Sequence, residues 1–559
     1  MKNKIISNTL IFIFIVGFVN IFKIVFGEGN TLMGVTIITM ALVLMEKDLT
    51  ISPVKNFIKI LSVNMFSLLA SVLAVKNIFL GIGLNFIVLF VIGYLFSYDL
   101  KKSLVVPFGL QYFFMLFFPA HGYVLYNRVL SLIFGTFFIM AIQLIVNRDK
   151  VFKSGIKIVN SISDTMLIKI RAIQNNESFE KENIRIIESI NYLKRIIFDK
   201  RVDDYYLSND GIIFTDILWS LERINLLLDE INILDNKGAY YELLEDVYDE
   251  VIVIKNRDFN SSNIQILKNH VYNEKVEKTY IDEFIGLINN LIREVKEINK
   301  LTQKERDNIK VNYEIPNHFH NIKVRKRNFN IDSAKVRYAV RLGIVGTFTV
   351  FIAKLLNLSE GRWMCFTIFS LIQPYSEFSK SRAKDRIIAT IIGGIIVILA
   401  FTILRNNAAR AIIILMAGYL DPFTRNYREK MIAVTVSAVA SASLEGGTID
   451  MVLTRIIFVI IGAALTLLAN KYILPYKIKD MKKYLYDTYE ALIKQMKEDI
   501  DEKHNDYSIR NLYLITGFIE DKMKLSVDSS NNDEINKYLA EKRFIVNSIY
   551  RDFLIYENL

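Results

Sequence analysis

Residues 359–396 read SEGRWMCFTIFSLIQPYSEFSKSRAKDRIIATIIGGII. An apolar run led by Trp363 ends at Gln373-Pro374. A basic stretch with Lys380, Arg382 and Lys384 follows, and a second apolar run opens at Arg386 and carries Gly393-Gly394 two turns later. Two apolar runs joined by a positive connection are the pattern of two membrane helices linked on the cytoplasmic side, where Lys and Arg accumulate. The pattern continues in both directions.

The chain has 559 residues, of which 52% are apolar and 12% aromatic, with a mean hydropathy of +0.29. That is unusual for a soluble domain of this length. Spanning the hydrocarbon core takes about 20 mostly apolar residues. Six such runs precede Asn147, at 5–26, 31–46, 56–75, 78–98, 103–120 and 123–147, and six follow, at 336–356, 362–376, 385–404, 408–422, 429–445 and 450–474. The first run follows Lys2 and Lys4 but has no small-x-small cleavage site, so it reads as a membrane helix.

Between the two sets, 148–335 is rich in Lys, Glu, Asp and Asn, and 477–559 returns to the same character. Apolar residues there recur at helical spacing, as in Ile184, Ile187, Ile190, Leu193 and Ile197, and in Leu218, Leu221, Ile224, Leu228 and Ile231. The predicted fold is an all-α integral membrane protein. Two repeated six-helix transmembrane bundles, about 12 spans, carry a helical cytoplasmic insert and a helical cytoplasmic C-terminal tail. The predicted domains are 1–147, 148–335, 336–476 and 477–559.

The net charge of +11 is not read as a nucleic-acid signal, because it concentrates in loops. With the N-terminus inside, the predicted inner loops hold twelve Lys and Arg and the outer loops four. This places the N-terminus, the insert and the C-terminus in the cytoplasm.

The two membrane halves repeat. Arg128 stands seven residues before Gly135, Arg455 seven before Gly462, and Arg386 seven before Gly393. Met33-Gly-Val-Thr36-Ile37 matches Met364-Cys-Phe-Thr367-Ile368, each just after a Glu-Gly step. Six helices per half make the repeats parallel, with a route at their interface.

The chemistry-bearing candidates are arginines. Arg337, Arg341, Arg362, Arg386 and Arg455 lie in or at the ends of apolar runs. A guanidinium inside a membrane costs about 3 kcal/mol on insertion scales, so it faces a wet cavity, finds an acid or snorkels. Arg337 and Arg362 suit snorkelling; Arg341 and Arg386 suit an anion path, since guanidinium grips carboxylate bidentately. Trp363 reads either as an interfacial anchor or as a stacking surface. Gln373-Pro374 would break the helix and leave carbonyls free. Gly393, Gly394, Gly462 and Gly135 read as close-packing or hinge positions.

Asp385 is expected to pair with Arg386 or to sit at a helix N-terminus, and no acid lies mid-span. There is no P-loop or credible catalytic triad. The single Cys365 and five histidines, of which His318 and His320 form the one close pair, argue against a metal site. The chain is therefore not expected to be an enzyme, and no cofactor or metal is expected.

The matching positions Arg341, Trp363, Gln373-Pro374 and Arg386 with Gly393-Gly394 resemble the fusaric acid resistance (FUSC) and aromatic acid exporter family. The resemblance covers 336–476 firmly and 1–147 more weakly. It implies a multi-pass protein of the bacterial plasma membrane that exports small organic anions, most of all aromatic carboxylic acids, driven by the proton gradient. Arg341, Arg386, Trp363 and Gln373 would form the substrate site, with Arg128 and Arg455 as equivalents between the halves. The expected partners are the lipid bilayer and the anion, with the insert as the place for a homo-oligomer contact and no nucleic acid. A passive anion channel and a non-transporting scaffold acting through the insert are the alternatives.

Overall fold

A computed structural model describes residues 2–45, 49–50, 53–96, 104–147, 149–203, 205–270, 275–309, 315, 333–358, 360–404, 406–445, 447–501, 506–525 and 532–557. His318 and His320 lie outside the described residues. Every extended element among those described is an α-helix or a short 3-10 turn, and Val202 and Tyr206 form an isolated β-bridge.

The first membrane half holds α1 (Lys2–Phe26), α2 (Thr31–Leu44), α3 (Pro53–Lys76), α4 (Ile78–Phe96), α5 (Val105–Phe117) and α6 (Gly122–Val146). The insert holds α7 (Lys150–Gln174), α8 (Glu180–Asp199), α9 (Asn209–Asn232), α10 (Tyr241–Asn256), α11 (Ile264–Asn269), α12 (Lys278–Lys300) and α13 (Gln303–Arg306). The second half holds α14 (Ala334–Leu355), α15 (Arg362–Leu371), α16 (Ser376–Ile403), α17 (Asn407–Leu420), α18 (Tyr427–Ala442) and α19 (Thr448–Tyr472). The tail adds α20 (Ile478–Asp501), α21 (Asp506–Leu525) and α22 (Asn532–Glu557).

Each of the twelve predicted apolar runs carries a helix. Seven of them, α1, α3, α4, α6, α14, α16 and α19, are long and apolar enough to cross a membrane. The others are shorter. Helix α15 is the extreme, with 10 residues, about 15 Å against a hydrocarbon core of about 30 Å. The second and fifth helices are short in both halves, α2 with α15 and α5 with α18.

The chain forms two compact units. The membrane unit takes Met1–Lys47, Ser52–Ile145 and Lys323–Met481. Its two halves interlock along α4 and α14, where Gly343 lies against the Phe86 ring and Gly93 against Ala339. Small residues let helix backbones approach where lipid offers no hydrophobic drive for association. Phe113 of α5 meets Phe369 of α15 edge-on at 5.4 Å, and Tyr419 of α17 takes Phe12 of α1 edge-on at 5.5 Å.

The second unit takes Asp48–Ile51, Val146–Ile322 and Lys482–Leu559, so the tail folds with the insert. Helix α9 runs through its centre. Leu218, Leu221, Ile224, Leu228 and Ile231 are all buried, as their spacing predicts. In α8 the buried face is Ile186, Ile190, Leu193 and Ile197, while Ile184 is exposed, so that predicted face is rotated by part of a turn. Buried polar pairs join α9 to the tail. Arg510 clasps Asp216 at 3.1 and 2.9 Å, Tyr513 donates to Glu222 at 2.5 Å, and the Trp219 indole donates to the Asn547 carbonyl at 3.1 Å.

Candidate functional site: buried arginines of the second membrane half

Helix α16 begins at Ser376, ten residues before Arg386. The inner loop predicted at 374–386 is thus mostly helical, and Arg386 sits inside a helix rather than at its opening. Its charged residues lie on the first turns, where Asp385 pairs with Arg428 at 2.7 Å. The expected Asp385–Arg386 pair does not form, because neighbours in a helix point to different faces.

Helices α16 and α19 run antiparallel. Gly394 packs on Val452, and eleven residues away on each helix Ala383 and Ala463 share a cluster with Leu371. In this register Arg455 and Arg386 are offset by about 8 Å along the axes, close enough for the two charges to interact.

Arg386 is 5% exposed. One of its terminal nitrogens contacts the Met431 sulfur, a weak acceptor, and its Nε has no hydrogen-bond partner. Arg455 is 1% exposed, and its Nε and Nη1 have no partner. Its guanidinium lies over the Trp363 ring, 4.0 Å from the centroid. Trp363 in turn meets Phe366 edge-on at 5.8 Å. The nearby Glu360 is taken by Arg362, through contacts of 3.1 and 2.8 Å.

Arg341 is fully buried on α14. Its Nη2 donates to the carbonyls of Gln373 at 2.7 Å and Pro374 at 3.0 Å, while Nε and Nη1 stay unpartnered. Proline breaks the helix there, as predicted, and the freed carbonyls are covered by an arginine rather than left open. Gln373 contributes its backbone; its side chain turns back to the Ile372 carbonyl at 3.0 Å. Arg337 donates to the Pro475 carbonyl at 2.9 Å.

The first-half counterpart behaves differently. Arg128 is buried and donates from Nε to Asn30 at 2.9 Å, from Nη1 to the Phe118 carbonyl at 2.8 Å and from Nη2 to the Gly29 carbonyl at 2.9 Å. The glycines seven residues after Arg128 and Arg455 are placed more alike. A Cβ on Gly135 would meet Ile37, and one on Gly462 would meet Thr367. Both are contacts between the sixth and second helices of a half, at residues of the matched Thr-Ile step. Gly393 lies against Thr435 and the Ile432 carbonyl, so it and Gly394 are close-packing positions.

The structure therefore brings Trp363 to Arg455, with Arg386 within electrostatic range, and places Arg341 with the Gln373-Pro374 backbone. Among the described residues, no cluster of three or more His, Cys, Asp or Glu could hold a metal ion. Asn470, on α19, is buried with both amide atoms unpartnered, and the sequence reading missed it. A polar residue inside an apolar run was the available signal.

The comparison with known families falls on the same helices. Residues 348–469 match the family model described as fusaric acid resistance protein-like. The chain is a multi-pass membrane protein with a fusaric acid resistance-like segment. That segment runs from within α14 to near the end of α19 and includes Trp363, Gln373, Arg386 and Arg455, with Arg341 just before it. The chain is 26% identical over 192 residues to inner membrane protein YccS of Escherichia coli (strain K12), covering 34% of this chain and 27% of that protein. It is 32% identical over 149 residues to an uncharacterized protein, ORF2, of Neisseria gonorrhoeae, covering 26% of this chain and 36% of that one. The chain thus spans between a quarter and two fifths of the length of these relatives. No solved structure matches it.

Proposed function

We propose that this protein is a bacterial plasma-membrane exporter of small organic anions, aromatic carboxylates above all, energised by the proton gradient. One observation carries the reading. Arg341, Arg386 and Arg455 are buried in the fusaric acid resistance-like half and its first helix, and among the described residues no carboxylate pairs with any of them. A buried cation without a counter-charge is costly to maintain, and in membrane proteins such residues mark ion and substrate paths. An anionic substrate supplies the missing charge.

In this reading the twelve helices form two six-helix halves that rock about the site, and the N-terminus, insert and tail face the cytoplasm. Arg341 at the Gln373-Pro374 break receives the anion at the inner end, and Arg386 carries it into the bundle. Trp363 offers a ring face to an aromatic substrate.

The test is uptake of labelled 4-hydroxybenzoate into inverted membrane vesicles, with and without a protonophore, for wild type and Arg386→Gln. Accumulation that collapses with protonophore and with the mutation supports an energised exporter. Flux that follows voltage and ignores the protonophore makes the protein a channel. Uptake equal to that of vesicles lacking the protein, across a panel of aromatic acids, overturns the reading.

A further inference from the structure

We propose that Arg455 and Trp363 together form the carboxylate site of this chain, and that the equivalent position in the first half, Arg128, is closed as a structural latch, so that each chain holds one such site. The proposal rests on the transport reading and goes beyond it by naming the residues and their number.

The repeat makes the comparison internal to one molecule. Both arginines precede by seven residues a glycine that packs on the second helix of its own half. They therefore occupy like positions, and what differs is what surrounds them. Arg128 has an acceptor on each of its three nitrogens. Arg455 has none on Nε or Nη1, at 1% exposure. Glu360, the nearby acid, already has both oxygens on Arg362.

The Trp363 ring covers a face of the Arg455 guanidinium at 4.0 Å. A cation–π contact leaves the in-plane N–H groups unused. Those edges are what a carboxylate engages, through two parallel charge-assisted hydrogen bonds. The ring of the ligand then has aromatic neighbours. Phe366 meets Trp363 at 5.8 Å and Phe114 at 5.4 Å, each edge-on. A guanidinium next to such a wall suits a planar monoanion with its charge at one end and its ring at the other. Arg128 has no comparable ring over it: its partners are two carbonyls and an amide.

The chain contains two tryptophans, Trp219 and Trp363. Trp219 belongs to the other unit and bonds to Asn547, so Trp219→Phe leaves Trp363 as the sole indole reporter. Purified full-length W219F protein in lipid nanodiscs is titrated with benzoate while Trp363 emission is followed. The expected result is a saturable change whose Kd rises about ten-fold or more in R455K, where the bidentate grip is lost, with no response in R455Q. R128Q, where it folds, keeps the wild-type Kd, and acetate binds at least ten-fold more weakly than benzoate. The wild-type titration and R455K decide the matter without R455Q. No saturable change in W219F, or an unchanged Kd in a folded R455K, overturns the proposal. Transport by vesicles without any Trp363 response places the site elsewhere and leaves the exporter reading intact. Saturable binding without transport keeps the site and removes the exporter.

Discussion

Arg128 donates to the side-chain oxygen of Asn30 across 2.9 Å, tying α6 to the turn that precedes α2. Two further bonds, to Gly29 and Phe118, complete the clamp. Arg455, its repeat partner, holds nothing comparable. Two arginines with the same spacing to a glycine thus differ in their partners: one is bonded through all three nitrogens, and the other leaves Nε and Nη1 unpartnered.

The two arginines are expected to differ in stability. Arg128→Gln removes three hydrogen bonds, to buried Asn30, half-buried Phe118 and exposed Gly29, and should destabilise the membrane unit by about 2–4 kcal/mol, since a stranded buried group costs about 1–3 kcal/mol and each further lost bond about 1 kcal/mol. Arg455→Gln removes an unpaired buried charge and should leave stability unchanged or raise it. Cys365, fully buried, offers a readout: thiol labelling during a thermal ramp reports opening of this unit. A lower midpoint in R455Q than in R128Q contradicts the assignment.

Helix contacts should respond unequally to an added methyl. A Cβ on Gly393 would come within 2.8 Å of the Thr435 Cβ and 3.2 Å of the Ile432 carbonyl, neither of which can swing aside. At Gly135 the obstacle includes the outer end of the Ile37 side chain, at 2.4 Å, which can rotate. Gly393→Ala is expected to cost about 1–3 kcal/mol, the range for overpacking, and Gly135→Ala less. Equal midpoints for the two variants in the same labelling ramp refute the distinction.

In the second unit, Arg543 donates to Glu520 at 2.8 Å, and both are buried. Arg543→Met leaves the Glu520 charge bonded to Asn191 and Tyr489, with the Lys194 ammonium as the remaining nearby counter-charge. Breaking a buried pair from one side typically costs about 3–5 kcal/mol. The expected result is a large fall in the unfolding midpoint of this unit, read from Trp219 emission in a W363F background.

Glu294 should make the same unit sensitive to pH. Burial raises its pKa from 4.5 to about 7, with the Asp216 charge adding and Arg293 opposing. The folded state then holds a proton that the unfolded state has released between those values. Stability is therefore greatest below the unfolded pKa and declines as pH rises toward the folded one. Glu294→Gln should flatten the profile and stabilise the unit at pH 8 by about 1–3 kcal/mol. A wild-type profile that does not fall between pH 5 and 8 would sink this prediction.

Much of this architecture can be read from the residues alone, because a bilayer leaves few choices. Unsatisfied backbone groups are too costly in hydrocarbon, so long apolar runs become helices. Hydropathy accordingly located α1 to α6 and α14 to α19 among the described residues, and the central face of α9. The Arg-to-Gly spacing and the paired Met-to-Ile stretches are the sequence basis for expecting a repeat; in the structure Gly135 packs on Ile37 and Gly462 on Thr367.

What a pattern of apolar residues does not encode is which neighbour a polar side chain meets. The start of α16 was misplaced because the charged first turns, Ser376 to Asp385, look like a loop to hydropathy, although nothing in them prevents a helix. The face of α8 was misread because a few apolar residues fit more than one stripe. Above all, Arg128 and Arg455 share the same spacing to a glycine in apolar runs. Whether a guanidinium finds Asn30 and Gly29, or an indole face and no acceptor on Nε and Nη1, depends on residues more than ninety positions away in the chain. Hydrogen bonds act over about 3 Å and in fixed directions. Helices therefore follow from sequence, while the difference between a fully bonded guanidinium and one with unpartnered nitrogens arises only when the helices pack.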